Sequence, residues 1–278
     1  MTPDLAVDLI NATVQIEQPL ANGQRTVGTG FLVNAPTPDG KPRTVLVTAA
    51  HVFGNMPKSE VRIGYRVTDA DGAWKYAPQP LTIRTGDQPL YSRHPDRDIL
   101  VMTVAAPPEF ARAAIPYAWL ATTETFDRAG LAPGDEMFVL GFPRGLSANK
   151  AGFPILRSGR VASYPLAPAE RYPTFLLDFA VFAGNSGGPV FIDEGGRRRP
   201  KDGVPPSTEF IAGVLTQQVE LKSDRLEIGI VTHAAYVREA IALLDAAPAR
   251  VAAASAPARP DVPGAPDVQD VGLRPSPG

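Results

Sequence analysis

Apolar and β-branched residues come in short runs along this chain. Thr13–Glu17, Val27–Val33, Thr44–Thr48, Val61–Val67, Leu81–Thr85 and Ile99–Val104 form a first series. Clusters of Gly, Pro, Asn and Asp separate them, such as Pro36-Thr37-Pro38-Asp39-Gly40 and Asp69-Ala70-Asp71-Gly72. A second series follows at Glu136–Leu140, Leu156–Ser163, Phe175–Phe179, Val190–Ile192, Phe210–Gln217 and Glu227–Val231. Short strands bounded by turn residues predict an all-β barrel or sandwich. Two sets of six predict a double six-stranded β-barrel, with residues 1–104 and 134–245 as the two units. Residues 105–133 then cross between them, with Pro107-Pro108 and a helix-compatible stretch around Glu109–Ala114. Thr232–Leu244 predicts a terminal helix. Thr232 caps it, and Ala235, Val237, Ala240, Ile241 and Leu244 give it an apolar side.

The composition changes after Asp245. Residues 246–278 hold nine Ala and seven Pro and no aromatic residue. Such a segment buries too little apolar surface to offset its ordering entropy, which predicts a disordered tail. The whole chain has 278 residues, a net charge of −2 and 44% hydrophobic residues, the balance of a globular protein with a sizeable core. Near-neutral charge gives no reason to expect a nucleic-acid or membrane partner. Met1 to Gln18 alternate apolar and polar residues and lack the basic start and long apolar centre of a signal peptide. The chain as given points to the cytoplasm, with a mature periplasmic or secreted form as the alternative. There is no cysteine, so disulfides and thiol chemistry are excluded. With three histidines and no zinc-type ligand spacing, neither a metal nor a cofactor is expected.

The chemistry concentrates at Gly184-Asn185-Ser186-Gly187-Gly188-Pro189. Glycine serves where backbone bends tightly or approaches something closely. A turn of this composition exposes the Ser186 hydroxyl and can aim the N–H groups of Gly184 and Ser186 at one point, as an oxyanion hole does. A bare serine is a weak nucleophile and needs a base and an orienting acid. Thr48-Ala49-Ala50-His51 ends an apolar run, and its small residues let the imidazole lie close to another turn. His94, in Arg93-His94-Pro95-Asp96, reads as a solvated loop histidine, and His233 as a capping or surface residue. Asp98 enters the apolar run Ile99–Val104 directly and is preferred as the acid over Asp96, which Arg97 follows.

The order His51, Asp98, Ser186 and these local sequences resemble the trypsin/chymotrypsin-like serine peptidases. The resemblance covers about residues 10–235. Gly28-Thr29-Gly30-Phe31-Leu32-Val33, Val139-Leu140-Gly141-Phe142-Pro143 and Ser158-Gly159-Arg160-Val161 resemble the bacterial, disulfide-free HtrA/Deg-like branch. So do Asp178-Phe179-Ala180-Val181-Phe182-Ala183 and Ile211-Ala212-Gly213-Val214. That branch often adds a PDZ domain, for which this chain has no room.

The resemblance implies a chymotrypsin-like fold and a serine endopeptidase acting on protein or peptide substrates through an acyl-enzyme. His51 is then the general base, Asp98 its orienting acid and Ser186 the nucleophile. It places Ala180, six residues before the serine, at the base of the primary specificity pocket, Phe182 near the same wall, and Thr216, Gln217 and Gln218 on the opposite wall. Asp178 is expected to be structural. A catalytically silent binding module and an esterase using the same triad are the alternatives. Oligomeric state is not legible. The run Arg197-Arg198-Arg199-Pro200-Lys201 reads as a solvated hairpin loop, because no aromatic residues are interleaved with it.

Overall fold

The computed structural model describes residues 5–21, 23–193, 209–221 and 224–246, without the side chains of 218–225. The predicted tail and the Arg197–Lys201 run lie outside the described residues.

The fold is all-β, in two bodies. The N-terminal body is an eight-stranded sheet. Its main path runs through Trp74–Thr82, Glu60–Thr68, Thr13–Pro19, Arg25–Pro36, Pro42–Thr48, Leu100–Thr103 and Ser92–Arg93. The C-terminal body is a closed barrel of Glu136–Gly141, Ile155–Val161, Thr174–Asp178, Asp224–His233, Phe210–Leu221 and Pro189–Ile192. Strand Trp74–Thr82 was legible only at its end. Pro78 and Pro80 interrupt its pattern, and they are tolerated because it pairs on one side only, with Glu60–Thr68.

The central strands are buried on both faces, including polar residues of the first of them. Thr13 to Gln18 and Gly28 to Val33 are all buried. Along one strand, Leu32 packs with Val14, Ile16, Leu46 and Tyr65, inside the first body. Its neighbours Phe31 and Val33 pack into the cluster that also contains Val139, Phe175, Phe191 and Val231 of the barrel. Successive strand residues face opposite ways. One strand therefore serves both its own core and the seam between the bodies.

Helices close the seam. Leu5–Ala12 is a helix that the alternating reading of Met1–Gln18 missed, and Leu5, Leu9 and Ala12 form its buried stripe. In the crossing, Pro108–Ala113 is helical as expected, and a second helix, Thr123–Ala129, follows. The Thr122 N–H donates to Thr125 Oγ1 at its start, and Gly130 at φ 60° ends it in the left-handed conformation. The terminal helix runs from Ala234 to Ala246. Thr232 does not cap it: it is buried in the preceding strand, its Oγ1 within 3.2 Å of Thr216 Oγ1. Among the described residues, no helix is long and apolar enough to cross a membrane.

Two histidines lie where local sequence did not put them. His94 is buried under the terminal helix, its Nε2 3.0 Å from Glu239. His233 ends a strand at 2% exposure, between the rings of Phe126 and Phe175. Neither is solvated: the terminal helix covers His94 through Tyr236 and Glu239, and the two aromatic rings enclose His233. Burial pushes the His233 imidazole down to about 4, against favourable contributions from the Leu166 backbone and Glu170. Its Nε2 has no hydrogen-bond partner among the described residues.

An unfolded chain protonates this histidine near pH ~6.5, whereas the folded chain resists until about pH 4. The resulting stability is complete above pH ~6.5 and is lost as pH falls through that window, by at most ~1.4 kcal/mol per pH unit. Urea midpoints measured between pH 7.5 and 4.5 should fall less steeply for His233→Gln than for the native protein. Equal slopes would contradict the assignment.

Candidate active site

The site forms where the two bodies meet. His51 is in the first turn of the short helix Ala50–Gly54, directly after strand Pro42–Thr48. Asp98 lies two residues before the neighbouring strand of the same sheet, Leu100–Thr103. Its carboxylate takes two bonds from one residue. Oδ2 lies 2.6 Å from His51 Nδ1, and Oδ1 accepts the His51 backbone N–H at 2.9 Å. The Asp98 carbonyl also accepts from Ala50 N–H at 3.3 Å. Bonds to an ionised acceptor are roughly twice as strong as neutral ones, so this pairing fixes the imidazole plane and leaves Nε2 as the outward nitrogen. The Asp96 backbone N–H donates to His94 Nδ1 at 3.1 Å.

Ser186 sits in a turn of the second body that only glycine can build. Gly184 has φ 97° and Gly187 φ 90°. A Cβ on Gly184 would collide with the Phe142 carbonyl, on Gly187 with Thr29 O and Thr48 Oγ1, and on Gly188 with Leu140 O. The turn is therefore packed backbone to backbone against both bodies.

Thr29 carries most of that contact. Its N–H donates to Ser186 O at 2.8 Å and its hydroxyl to Gly184 O at 2.6 Å. The same hydroxyl accepts from Phe142 N–H at 3.2 Å, and Thr29 O accepts from Thr48 Oγ1 at 2.7 Å. From the barrel side, Gly187 N–H donates to Leu215 O at 2.8 Å, and Leu215 N–H to Gly188 O at 2.9 Å.

The carbonyls of the two peptides behind Gly184 N and Ser186 N are both engaged. Ala183 O accepts from Arg144 N–H at 2.6 Å and Asn185 O from Gly188 N–H at 3.1 Å. A trans peptide points its C=O and N–H in opposite directions. Both N–H groups therefore face away from those anchors, and neither has an internal acceptor among the described residues. The Ser186 hydroxyl donates to Thr216 O at 3.3 Å, so in this rotamer its proton points to that carbonyl and not to His51.

The residues expected around the substrate pocket divide. Ala180 and Phe182 are half-buried. Ala180 O accepts from Arg157 Nη1 at 2.6 Å, and the guanidinium groups of Arg144 and Arg157 lie 5.4 and 5.3 Å from the Phe182 ring. Thr216 turns its side chain into the barrel, toward Ile230 O and Thr232 Oγ1, and offers only its carbonyl to the site. Gln217 is exposed opposite Ile230. Gln218 pairs with Gly229, and its side chain lies outside the described ones. Asp178 is exposed at its strand end, opposite Arg160. Local sequence gave no sign of Val181, which is buried with its Cγ2 3.2 Å from where a Cβ on Gly229 would be. Thr29 did leave a sign, because glycines on both sides of it inside a strand mark a close backbone approach. Among the described residues, no group of three or more His, Asp or Glu is arranged to hold a metal ion.

A sheet and a closed barrel meeting at a His–Asp pair and a glycine-bound serine form the chymotrypsin-like fold. The model of the trypsin-like peptidase domain family matches residues 28–197, more than half of the chain, and the chain belongs to that family. Among solved structures, the HtrA-type protease AlgW with a bound tripeptide is similar at a TM-score of 0.54 and 14% identity, over 87% of this chain. The chain spans 62% of the length of that protease. The protease Anisep from Arthrobacter nicotinovorans is similar at a TM-score of 0.51 and 14% identity, over 86% of this chain and 98% of that one. No curated protein sequence matches the chain.

Replacing Thr29 by valine keeps the shape and deletes the hydroxyl that serves Gly184 O and Phe142 N–H. Leaving buried groups unpaired costs roughly 1–3 kcal/mol. Thr29→Val should lower unfolding free energy by about that amount in urea titration, and Thr29→Ser should recover most of it. A Thr29→Val protein as stable as the native one would rule out the structural role.

Proposed function

We propose that this protein is a serine endopeptidase. His51 takes the Ser186 proton as the hydroxyl attacks a substrate carbonyl, and Asp98 holds the imidazole in the required tautomer and stabilises the imidazolium. The developing oxyanion is met by the N–H groups of Gly184 and Ser186. His51 then returns the proton to the leaving amine, and water releases the acyl group by the same route in reverse. One observation carries the reading. Two backbone N–H groups, of Gly184 and Ser186, have the carbonyls of their peptides anchored and no acceptor among the described residues. In most proteins buried or half-buried N–H groups find partners, so a spared pair beside a hydroxyl implies an acceptor that arrives with the substrate. Attack requires Ser186 to rotate from Thr216 O toward His51. Catalytic hydrogen bonds commonly tighten only when substrate binds.

For substrate preference we infer small or medium apolar residues before the scissile bond. Ala180 supplies no acid for a cation, and Arg157 on the Ala180 carbonyl repels one. Val181 beside Gly229 narrows an apolar wall. One extra methylene in such a pocket changes selectivity by only ~1–3 kcal/mol, so the preference is graded.

The test is a digest of denatured proteins or a peptide library, read by mass spectrometry, with Ser186→Ala as control. Cuts after Ala, Val or Leu should disappear in the variant, whose kcat falls on the order of 10⁶-fold. Cleavage that survives in Ser186→Ala would overturn the nucleophile assignment, and a Lys/Arg pattern that it abolishes would overturn the pocket assignment.

A further inference from the structure

The two oxyanion-facing N–H groups are supported differently. The Ser186 peptide is braced within its own turn, by Gly188 N–H on Asn185 O. The Gly184 peptide is braced from outside, by Arg144 N–H on Ala183 O. Arg144 presents that N–H from a left-handed backbone, φ 53° and ψ 23°. A non-glycine residue there costs roughly 1–2 kcal/mol and persists only where its surroundings over-determine it.

The surroundings are on the first body. Gly145 O, at the end of the same turn, accepts from Gln15 Nε2 and from Arg25 Nη2, each at 3.1 Å. Arg25 is held in turn by Glu17, Nη1 to Oε2 at 2.8 Å, and Glu17 is buried. The Tyr76 hydroxyl donates to Gln15 Oε1 at 3.2 Å, which turns the amide so that Nε2 faces Gly145. Gly145 itself has φ 76°, and a Cβ there would lie 2.7 Å from the Arg25 guanidinium. The contact is therefore close and specific.

We propose that Gln15, Glu17 and Arg25 are positioning residues for the oxyanion hole. From strands Thr13–Pro19 and Arg25–Pro36 they clamp the Pro143–Gly145 turn, the clamped turn keeps Arg144 N–H on Ala183 O, and that bond keeps Gly184 N–H aimed at the reacting carbonyl. None of the three touches a reacting atom. Without the clamp Arg144 relaxes, Ala183 O loses its donor, and the 183–184 peptide is free to rotate and withdraw its N–H. Only the fraction of molecules with the N–H aimed can stabilise the oxyanion, so kcat falls while ground-state binding stays. The proposal rests on the serine-peptidase reading above.

The experiment uses the full chain and the best peptide from the library digest. Arg25→Met, Arg25→Lys and Gln15→Met are compared with the native protein in kcat, in KM and in inhibition by a peptidyl boronate of the same sequence, which mimics the tetrahedral oxyanion. Binding of the uncleaved peptide is measured in the Ser186→Ala background with and without Arg25→Met. Loss of one oxyanion donor costs ~10²–10³ in kcat, so partial misalignment in Arg25→Met should cost about tenfold. Boronate affinity should fall in parallel, peptide binding should stay within about twofold, and Arg25→Lys should recover part of the loss. A folded Arg25→Met protein with native kcat and boronate affinity overturns the proposal. So does peptide binding that weakens in step with kcat. Should Arg25→Met lose its cooperative melting transition, Gln15→Met removes one of the two bonds to the same carbonyl and is judged by the same criteria. A native protein that neither cleaves peptides nor captures the boronate brings down the peptidase reading, and this one with it.

Discussion

Thr29 is where the two bodies hold one another in register. Its backbone and hydroxyl bind the carbonyls on both sides of Asn185, and its own carbonyl is bound by Thr48, three residues before His51. Segments distant in sequence are thus set by the backbone and hydroxyl of one fully buried residue in the middle of a strand. Such a junction tolerates little change, because each carbonyl it serves is buried and would lose its donor. It also explains the glycines. Gly28 and Gly30 flank it because a side chain at either would strike Val52, or Leu46 and Ile16. Gly187 is bare because its Cβ would occupy the position of Thr29 O.

From this junction the proposed chemistry divides between the bodies. The N-terminal body supplies the base and its orienting carboxylate from segments flanking two adjacent strands, and the barrel supplies the serine and the spared N–H groups. Reaction geometry is then a property of the seam, not of either body alone. The same division gives Arg25 and Gln15 leverage over Gly184, which they never touch. Rigid packed elements transmit such constraints because they switch between discrete arrangements and do not deform continuously.

Much of this is legible in the local sequence. The twelve strand runs appear in order, because turn residues and β-branched runs are local signals. The Gly184–Gly188 run announced a backbone-packed turn, and of the two aspartates it is Asp98, nearer the strand, that meets His51, while the Asp96 backbone N–H bonds His94. What local sequence missed was decided by tertiary packing. His94 and His233 look like loop and cap residues in isolation, but the groups that bury them, Tyr236 and Glu239 over His94 and Phe126 and Phe175 around His233, lie far from them in sequence or on other elements. Thr216 reads as pocket wall but bonds across the barrel to Thr232, a pairing set by register. The Glu17–Arg25–Gly145 link joins residues more than a hundred positions apart, and no periodicity encodes it.

The central claim is that Ser186 is made nucleophilic by His51 beside the backbone N–H groups of Gly184 and Ser186. It is tested most directly with a fluorophosphonate probe, whose capture needs both an activated serine and an oxyanion hole. Intact mass and peptide mapping should find one adduct, on Ser186, formed by the native protein and absent in Ser186→Ala and His51→Ala. A native protein that stays unlabelled, or an adduct on another residue, would contradict the account.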